Sequence, residues 1–326
     1  MTDVKLAERI QQAYSKILNE MGQAIVGQEK ILEQLLIALF ARGHCLLVGV
    51  PGLAKTMIIR SLGQVLDLNF SRIQFTPDLM PSDITGTEIL EEDKTTGQKT
   101  FKFIKGPLFA NIILADEINR TPPKTQSALL ESMQEYRVTA SGQTFHLEKP
   151  FFVLATQNPI EQEGTYPLPE AQLDRFMFSL WLDYPTFEQE NEIVKRTTVS
   201  DEPELDPVLK QKDILQFQDL VRRVPVADTI IESAVKLATS SRPGTHNEKD
   251  PKINEWIRWG AGPRASQYLV LSAKVRALLN DRHTPGLEDI QAMALPVLRH
   301  RLVLSYSAEA EGMNVERIVE YLVQKL

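Results

Sequence analysis

The feature that most constrains this chain is a short apolar strand that runs directly into a glycine- and proline-containing turn ending in Lys-Thr. Residues 45–48 read Cys-Leu-Leu-Val, and residues 49–56 read Gly-Val-Pro-Gly-Leu-Ala-Lys-Thr. Between a buried strand and a helix, such a turn directs backbone N–H groups and a helix N-terminus at one point, where a polyphosphate can bind. The turn therefore predicts an α/β fold with a nucleoside triphosphate site.

The loop departs from the usual phosphate-loop pattern at one position. The second glycine of G-x-x-x-x-G-K-[ST] is replaced by Ala54, and an additional glycine, Gly52, comes two residues earlier. Alanine disfavours left-handed backbone, so the usual loop shape does not follow automatically. Lys55 would still reach the β and γ phosphates, and the Thr56 hydroxyl would face Mg²⁺. On these residues alone, an ordinary strand-to-helix turn with a lysine by chance stays open.

A second apolar run, residues 111–115, ends abruptly in Asp116 and Glu117. Two carboxylates at the end of a buried strand are costly unless a cation meets them, and Mg²⁺ held between Thr56 and Asp116 would be a suitable partner. Glu117 could then polarise the water that attacks the γ-phosphate. The alternative is a pair of carboxylates that caps the following helix.

Composition is typical of a globular protein with more than one domain. The chain has 326 residues, 43% hydrophobic and 24% charged, with a net charge of −7. No segment is strongly basic, which argues against a protein that binds nucleic acid mainly through its phosphates. The single cysteine, Cys45, excludes an internal disulfide framework, and we expect it to pack in the core.

The chain also lacks the patterns of membrane insertion. Its first residues contain no apolar signal segment, and the longest aliphatic stretch, residues 35–41, is far shorter than the roughly 20 residues a membrane helix needs. We therefore expect a cytoplasmic protein without a membrane span.

Helix and strand patterns alternate up to about residue 186. Apolar residues recur at helical spacing from Leu6 to Met21, and a second apolar helix is predicted over 30–41. The predicted strands are 44–48, 69–75, 111–115, 151–156 and 178–182. This order predicts a mostly parallel sheet covered on both faces, with ligands at the carboxyl ends of its strands.

Two segments interrupt the alternation. Residues 88–104 indicate a β-hairpin around 94–99, and residues 137–140 and 143–147 indicate another around Ser141-Gly142. Added hairpins of this kind either contact partners or stabilise the sheet.

The pattern changes near residue 186. A capping box from Thr186 to Gln189 opens a helix, an acidic loop covers 201–207, and helical spacing without a strand continues to residue 326. We predict a core over 1–186, a connection over 187–214 and a helical domain over 215–326. In the last, Arg264 lies in a first helical turn, where a cation opposes the macrodipole, so a partner anion or plain solvation must accommodate it.

Together these motifs resemble the MoxR branch of the AAA+ ATPases, and the resemblance spans nearly the whole chain. It implies an AAA+ P-loop core, with a parallel sheet and helices on both faces, followed by an all-α lid domain. An alanine at position 54 is normal in this branch. The matching motifs are residues 49–56, 115–120 (Ala-Asp-Glu-Ile-Asn-Arg), 155–159 (Ala-Thr-Gln-Asn-Pro), 168–176 (Leu-Pro-Glu-Ala-Gln-Leu-Asp-Arg-Phe) and 262–265 (Gly-Pro-Arg-Ala).

The resemblance also implies residue roles. ATP would be held by the Walker A loop, Mg²⁺ by Thr56 and Asp116, and the attacking water by Glu117. The sensor Asn158, the arginine finger Arg175 and the lid sensor Arg264 would complete catalysis. The implied nucleotide contacts are Gly49, Val50, Pro51, Gly52, Leu53, Ala54, Lys55 and Thr56, with Val26, Gly27 and Gln28 at the adenine.

Simpler interpretations of two of these residues stay open. Asn158 begins an Asn-Pro pair that is also typical of a turn after a strand, and Arg175 could be a surface arginine that pairs with Asp174 or another neighbour. A finger normally acts across a subunit boundary, so the resemblance implies a homo-oligomeric ring, expected to be a hexamer.

For the biological role, the resemblance favours a chaperone-like remodeller that matures or activates other protein complexes. Its expected partners are a protein with a von Willebrand factor A domain and an unidentified client, and no nucleic acid is expected. Alternatives are the motor subunit of a magnesium-chelatase-like enzyme, a nucleic-acid translocase and a nucleotide switch without hydrolysis. The translocase is disfavoured because the hairpin at 137–147 offers one Arg, one Phe and one His.

Overall fold

The computed structural model describes residues 2–92, 99–161, 163–198, 203–244 and 250–326. Its strands are β1 Cys45–Val48, β2 Phe70–Gln74, β3 Gly86–Glu92, β4 Lys99–Lys105, β5 Ile112–Asp116, β6 Arg137–Ala140, β7 Gln143–His146, β8 Phe152–Gln157, β9 Phe178–Trp181, β10 Ile257–Trp259 and β11 Val303–Leu304. Its α-helices are α1 Asp3–Ala24, α2 Glu29–Phe40, α3 Lys55–Val65, α4 Pro81–Thr85, α5 Pro123–Glu135, α6 Glu170–Leu173, α7 Phe187–Thr197, α8 Gln211–Arg223, α9 Asp228–Ser240, α10 Pro251–Trp256, α11 Pro263–Leu279, α12 Leu287–Leu298, α13 Tyr306–Ala310 and α14 Val315–Val323.

The main sheet has five strands in the order β2-β5-β8-β1-β9, which confirms the predicted α/β core. Pairing is parallel between β2 and β5, with Ile73 opposite Ala115, and between β5 and β8, with Ile113 opposite Val153. Every residue of β5 is buried, as are the first five of β8. Continuous burial of this kind is typical of a parallel sheet covered on both faces.

Both predicted hairpins are present. β3 pairs antiparallel with β4, and β6 pairs antiparallel with β7. The predicted turn of the first hairpin lies outside the described residues except for Lys99, and so do the first two residues of the acidic loop at 201–207.

The C-terminal region contains one feature that the sequence analysis missed. It is largely helical, but β10 and β11 form a small antiparallel sheet in which Ile257 lies opposite Leu304. The expectation of helices alone after residue 186 is therefore wrong at these residues. Strands of three and two residues are too short for an alternating pattern to reveal them.

Tertiary contacts divide the chain into two compact units that interleave along the sequence. The first unit comprises Met1–Cys45, Pro169–Leu180 and Lys212–Leu326, and the second comprises Leu46–Leu168 and Trp181–Gln211. The predicted domain boundaries at 186 and 214 stay a prediction. Within the described residues, we find no helix with both the length and the apolarity that crossing a membrane requires.

Candidate active site

The predicted phosphate loop lies in the second unit, between β1 and α3. Helix α3 begins at Lys55, whose ammonium donates a hydrogen bond of 2.7 Å to the carbonyl of Gly49 at the start of the loop. Thr56 is the second residue of the helix and is half-buried. The loop therefore closes on itself through the lysine, ahead of the N-terminus of α3.

The alanine that departs from the usual pattern adopts the backbone that a glycine would favour. Ala54 has φ 54° and ψ 22°, which is left-handed, and its carbonyl still accepts the amide of Ile58 at 2.9 Å. Left-handed backbone costs an L-residue about 1–2 kcal/mol. The loop thus tolerates this strain at the residue directly before α3.

The carboxylate of Asp116, the last residue of β5, is buried and accepts hydrogen bonds through both of its oxygens. One oxygen accepts the hydroxyl of Thr156 on β8 at 2.6 Å, and the other accepts the guanidinium of Arg72 on β2 at 2.7 and 3.1 Å. A buried carboxylate at a strand end requires a cation, and in this structure Arg72 supplies it. The expected magnesium role of Asp116 stays a prediction.

Glu117 is held in an unusual backbone conformation next to this pair. Its φ is 58°, and its amide donates to the hydroxyl of Thr156 at 2.9 Å. The side-chain carboxylate accepts the amide of Gln74 at 2.9 Å and lies 3.4 Å from the guanidinium of Arg120. Non-glycine residues with positive φ cluster at functional sites, where the surrounding contacts over-determine them.

Asn158 follows β8 and is 5% exposed. Its side-chain oxygen accepts the amide of Ile160 at 3.1 Å, whereas its Nδ2 is buried without a hydrogen-bond partner among the described residues. An unsatisfied buried donor costs about 1–3 kcal/mol. Such a donor at the end of a central strand indicates capacity for an acceptor that the protein does not itself provide.

The ammonium of Lys55 and the nearby carboxylates influence one another electrostatically. Burial lowers the pKa of Lys55 below its ordinary value, while the nearby carboxylates of Asp116, Glu117 and Glu161 oppose that shift and favour the charged form. The amide of Gly49 donates to the carbonyl of Gln157 at 3.2 Å, which ties the loop to β8. The structure thus brings the predicted lysine and carboxylates together at the carboxyl ends of the strands.

The donor set fits a magnesium-bound nucleotide. The hydroxyl of Thr56 and the carboxylate of Asp116 are hard oxygen ligands of the kind Mg²⁺ prefers, and this ion usually takes its other ligands from water and substrate phosphates. The ammonium of Lys55 and the unpartnered Nδ2 of Asn158 are donors suited to phosphate oxygens.

The two predicted catalytic arginines belong to the first unit. Arg264, the second residue of α11, lies 3.2 Å from a carboxylate oxygen of Asp174, which is the anion expected near that helix N-terminus. Arg175 is half-buried and follows Asp174 directly in the chain. Arg264 is therefore bound to the residue next to Arg175.

The predicted adenine contacts, Val26, Gly27 and Gln28, also lie in the first unit, in the turn that joins α1 to α2. Gly27 has φ 74°, and Gln28 is the N-cap of α2. Their role stays a prediction.

Several residues of the site were not identified from the sequence. Arg72 and Gln74 reach the two carboxylates from β2, and Thr156 links β8 to both. In the sequence, the alternation of Arg72 and Gln74 could have indicated both residues, because two polar side chains at positions i and i+2 of a strand lie on the same face of the sheet. For Thr156, only the spatial adjacency of β5 and β8 reveals the contact.

Two family models match this chain. The ATPase family associated with various cellular activities (AAA) matches residues 44–178, and the AAA lid domain matches residues 252–322. The first match contains the phosphate loop, the carboxylate pair, Asn158 and Arg175, and the second contains Arg264.

Curated relatives resemble the chain over most of its length. Chaperone MoxR1 of Mycobacterium tuberculosis is 43% identical over 306 residues, which cover 94% of this chain and 79% of the relative. An uncharacterised Bacillus subtilis protein, YeaC, is 44% identical over 94% of this chain and 92% of its own. Protein MoxR of Methylorubrum extorquens is 29% identical over 90% of this chain and 88% of its own.

The fold is also that of a solved structure. The crystal structure of a candidate ATPase from Cytophaga hutchinsonii matches with a TM-score of 0.91 and 40% identity, over 99% of this chain and 96% of the other. The architecture, both family models and full-length relatives agree. This chain belongs to the MoxR family of AAA+ ATPases.

Proposed function

We propose that this protein hydrolyses ATP with Mg²⁺ and uses the cycle to remodel protein clients as a chaperone-like AAA+ ATPase. The observation that carries the proposal is the second-unit cluster of Lys55, Asp116, Glu117 and Asn158, in which a buried amide donor has no partner among the described residues. A relative that is 43% identical, MoxR1 of Mycobacterium tuberculosis, is named a chaperone, which supports the same role here.

The residues divide the chemistry by their positions. Lys55 and the N-terminus of α3 bind the phosphates, and Thr56 with Asp116 would hold Mg²⁺, which neutralises charge on the β and γ phosphates when bound. Glu117 orients and polarises the attacking water, while Gln74 holds its carboxylate in the present state. Asn158 Nδ2 donates to the water or to the γ-phosphate.

The arginines would add positive charge to that of Lys55. Phosphoryl transfer depends on positioning and charge neutralisation, and an arginine supplied in trans is worth about 10³–10⁵ in rate. We assign Arg175 as this finger and place it at the nucleotide of a neighbouring protomer. Asp174, which directly precedes Arg175 in the chain, pairs with Arg264. Both arginines are therefore expected to act on the same nucleotide.

That division requires a homo-oligomeric ring, for which six subunits are expected. The wider role is also proposed by family likeness: a cytoplasmic protein acting with a von Willebrand factor A partner and a protein client.

The translocase alternative is weakened because the ring of Phe145 in the second hairpin stacks on Phe103, with centroids 4.2 Å apart and planes 10° apart. A ring committed to that stack is not a platform for a nucleic-acid base.

The test combines turnover, binding and capture. The wild-type protein should release phosphate from MgATP, whereas Glu117→Gln should bind ATP with turnover reduced about 10²–10⁴-fold, because the water loses its base. Lys55→Ala should weaken ATP binding by about 10-fold or more. Affinity capture with Glu117→Gln and ATP, compared with ADP, should retain the client.

Two results would contradict the proposal. Phosphate release by the wild-type protein no faster than by Glu117→Gln would remove the enzymatic role, and unchanged ATP affinity in Lys55→Ala would remove the site. Capture of subunits for tetrapyrrole metal insertion would favour the chelatase-like alternative.

A further inference from the structure

The backbone that carries Arg175 is held by a buried arginine from the C-terminal part of the first unit. One terminal nitrogen of Arg301 donates to the carbonyls of Asp174 at 2.9 Å and Phe176 at 2.6 Å, and the other donates to Met177 at 3.3 Å. The Nε donates to the carboxylate of Asp174 at 2.8 Å. One guanidinium therefore fixes the chain on both sides of Arg175.

The carbonyl of Arg175 itself is bound by Tyr268 on α11. The Tyr268 hydroxyl donates to it at 3.2 Å, and the Tyr268 ring lies 5.2 Å from the guanidinium of Arg301. The four consecutive carbonyls from Asp174 to Met177 thus all accept side-chain hydrogen bonds.

Burying the charged side chain of Arg301 costs desolvation free energy, which is offset only if its donors are paired. The side chain of Arg301 is 2% exposed, and burial lowers its pKa, which the carboxylate of Asp174 opposes. A buried cation is tolerated when its donors are all paired, and acceptors surround all three guanidinium nitrogens here. A lysine offers one nitrogen and could not bridge the same acceptors.

Asp174 connects this clamp to the second catalytic arginine. Its Oδ1 accepts from buried Arg301, and its Oδ2 accepts from Arg264, whose side chain is 40% exposed. Because the side chain of Arg301 is 2% exposed and that of Arg264 is 40% exposed, the inner contact is enclosed, whereas Arg264 reaches solvent and can exchange a carboxylate for a phosphate.

We infer that Tyr268, Arg301 and Asp174 are positioning residues that hold Arg175 and Arg264 in one fixed arrangement for the nucleotide of a neighbouring protomer. The inference rests on the proposed role of Arg175 as the finger. None of the three positioning residues needs to touch the nucleotide, because they act through the backbone of 174–177 and through the Asp174 carboxylate.

The mildest test removes one hydroxyl. Tyr268→Phe keeps the ring beside Arg301 and loses only the hydrogen bond to Arg175, so kcat for ATP should fall about 3- to 10-fold while ATP affinity is unchanged. The matched control is Tyr321→Phe, which loses a hydroxyl bonded to Asp250 in the same unit and should keep the wild-type kcat.

A stronger variant removes the shared charge. Asp174→Asn should lower kcat by about 10²-fold, since displacement of catalytic groups by about 1 Å can cost that much. The control is Asp289→Asn, because Asp289 also binds two arginines, Arg276 and Arg282. If Asp289→Asn lowers the unfolding midpoint as much as Asp174→Asn but keeps kcat, general destabilisation is excluded as the cause.

A double-mutant cycle separates positioning from a merely structural effect. If Tyr268 acts through Arg175, Tyr268→Phe should not further slow single-turnover hydrolysis in an Arg175→Ala background. Independent, multiplicative losses would overturn the inference. If kcat is unchanged in both Tyr268→Phe and Asp174→Asn but turnover is lost in Arg175→Ala, the positioning inference is overturned while the finger role of Arg175 stands. Unchanged turnover in Arg175→Ala would overturn the finger role as well.

Discussion

The buried amide of Asn158 in the nucleotide cluster of the second unit and the buried guanidinium of Arg301 in the first unit differ in how fully their donors are paired. In the second unit, the Nδ2 of Asn158 has no partner among the described residues, and Ala54 and Glu117 adopt left-handed backbone. In the first unit, the guanidinium of Arg301 donates to the backbone carbonyls of Asp174, Phe176 and Met177, and to the carboxylate of Asp174.

The difference shows how the two clusters divide the work. A surface that binds a ligand keeps unused donors and strained backbone, which a bound ligand can satisfy or exploit. A surface that only holds another residue in place uses its donors fully, because any remaining freedom would let that residue move. The second unit therefore resembles a binding site and the first a rigid support for Arg175 and Arg264.

The largest expected effect is loss of the supported residue itself. Arg175→Ala should leave ATP binding nearly intact and reduce kcat by about 10³–10⁵-fold, or about 4–7 kcal/mol of barrier. Steady-state turnover and a direct binding titration on the same preparation measure both quantities. Equal losses of binding and rate would mean that Arg175 belongs to the binding surface, and the contrast between the clusters would fail.

The next effect concerns stability in the first unit. Arg301→Met should lower the free energy of unfolding by about 3–5 kcal/mol, because it removes one partner of a buried ion pair and leaves several carbonyls without donors. Urea denaturation measures this loss. Arg223→Met is the control, since its pair with Asp3 is more than half exposed and should contribute at most about 1 kcal/mol.

Asn158→Ala should give the opposite combination in the second unit. Turnover should fall about 10²–10³-fold because a transition-state donor is lost. The free energy of unfolding should change by less than about 1 kcal/mol, since the lost bond to Ile160 is offset by removal of an unsatisfied donor.

Asn111 provides the matched comparison for this variant. It is equally buried, but its Nδ2 donates to the carbonyl of Pro150 at 3.0 Å. Asn111→Ala should therefore lower the free energy of unfolding by about 1–3 kcal/mol. If Asn158→Ala proved as destabilising as Asn111→Ala, its amide would have to be satisfied within the protein.

The smallest effect lies in the phosphate loop. Ala54→Gly should raise the free energy of unfolding by about 0.5–1 kcal/mol, because relief of left-handed strain exceeds the added entropy of the unfolded chain. Gly52→Ala, at φ 86° with no atom within 4 Å of the added Cβ, should lower it by about 1–2 kcal/mol through backbone strain alone. Thermal unfolding of both variants tests the assignment, and a stabilising Gly52→Ala would contradict it.

Local patterns account for what the sequence predicted correctly. All five sheet strands begin and end within one residue of the observed bounds, because apolar runs bounded by turn residues are local signals. The position of Lys55 near Asp116 followed from the rule that ligands bind at the carboxyl ends of parallel strands.

Contacts between distant segments account for what the sequence did not predict. Arg301 lies 127 positions from Asp174, and Tyr268 lies 93 from Arg175, so no spacing rule relates them. Arg72 was hidden for the same reason, being 44 positions from Asp116. The short strands β10 and β11 carry too few residues for a period to be read.

Mixing two inactive variants tests the central claim, that one protomer binds the nucleotide and its neighbour completes the reaction. Lys55→Ala retains the arginines but lacks the phosphate-binding lysine, whereas Arg175→Ala retains the nucleotide site but lacks the finger. ATP turnover of the mixture should rise well above the sum of the separate proteins, while a mixture of Lys55→Ala with Glu117→Gln should stay inactive, because both lesions affect the same site. No recovery in the first mixture, with both variants shown to assemble together, would contradict the account.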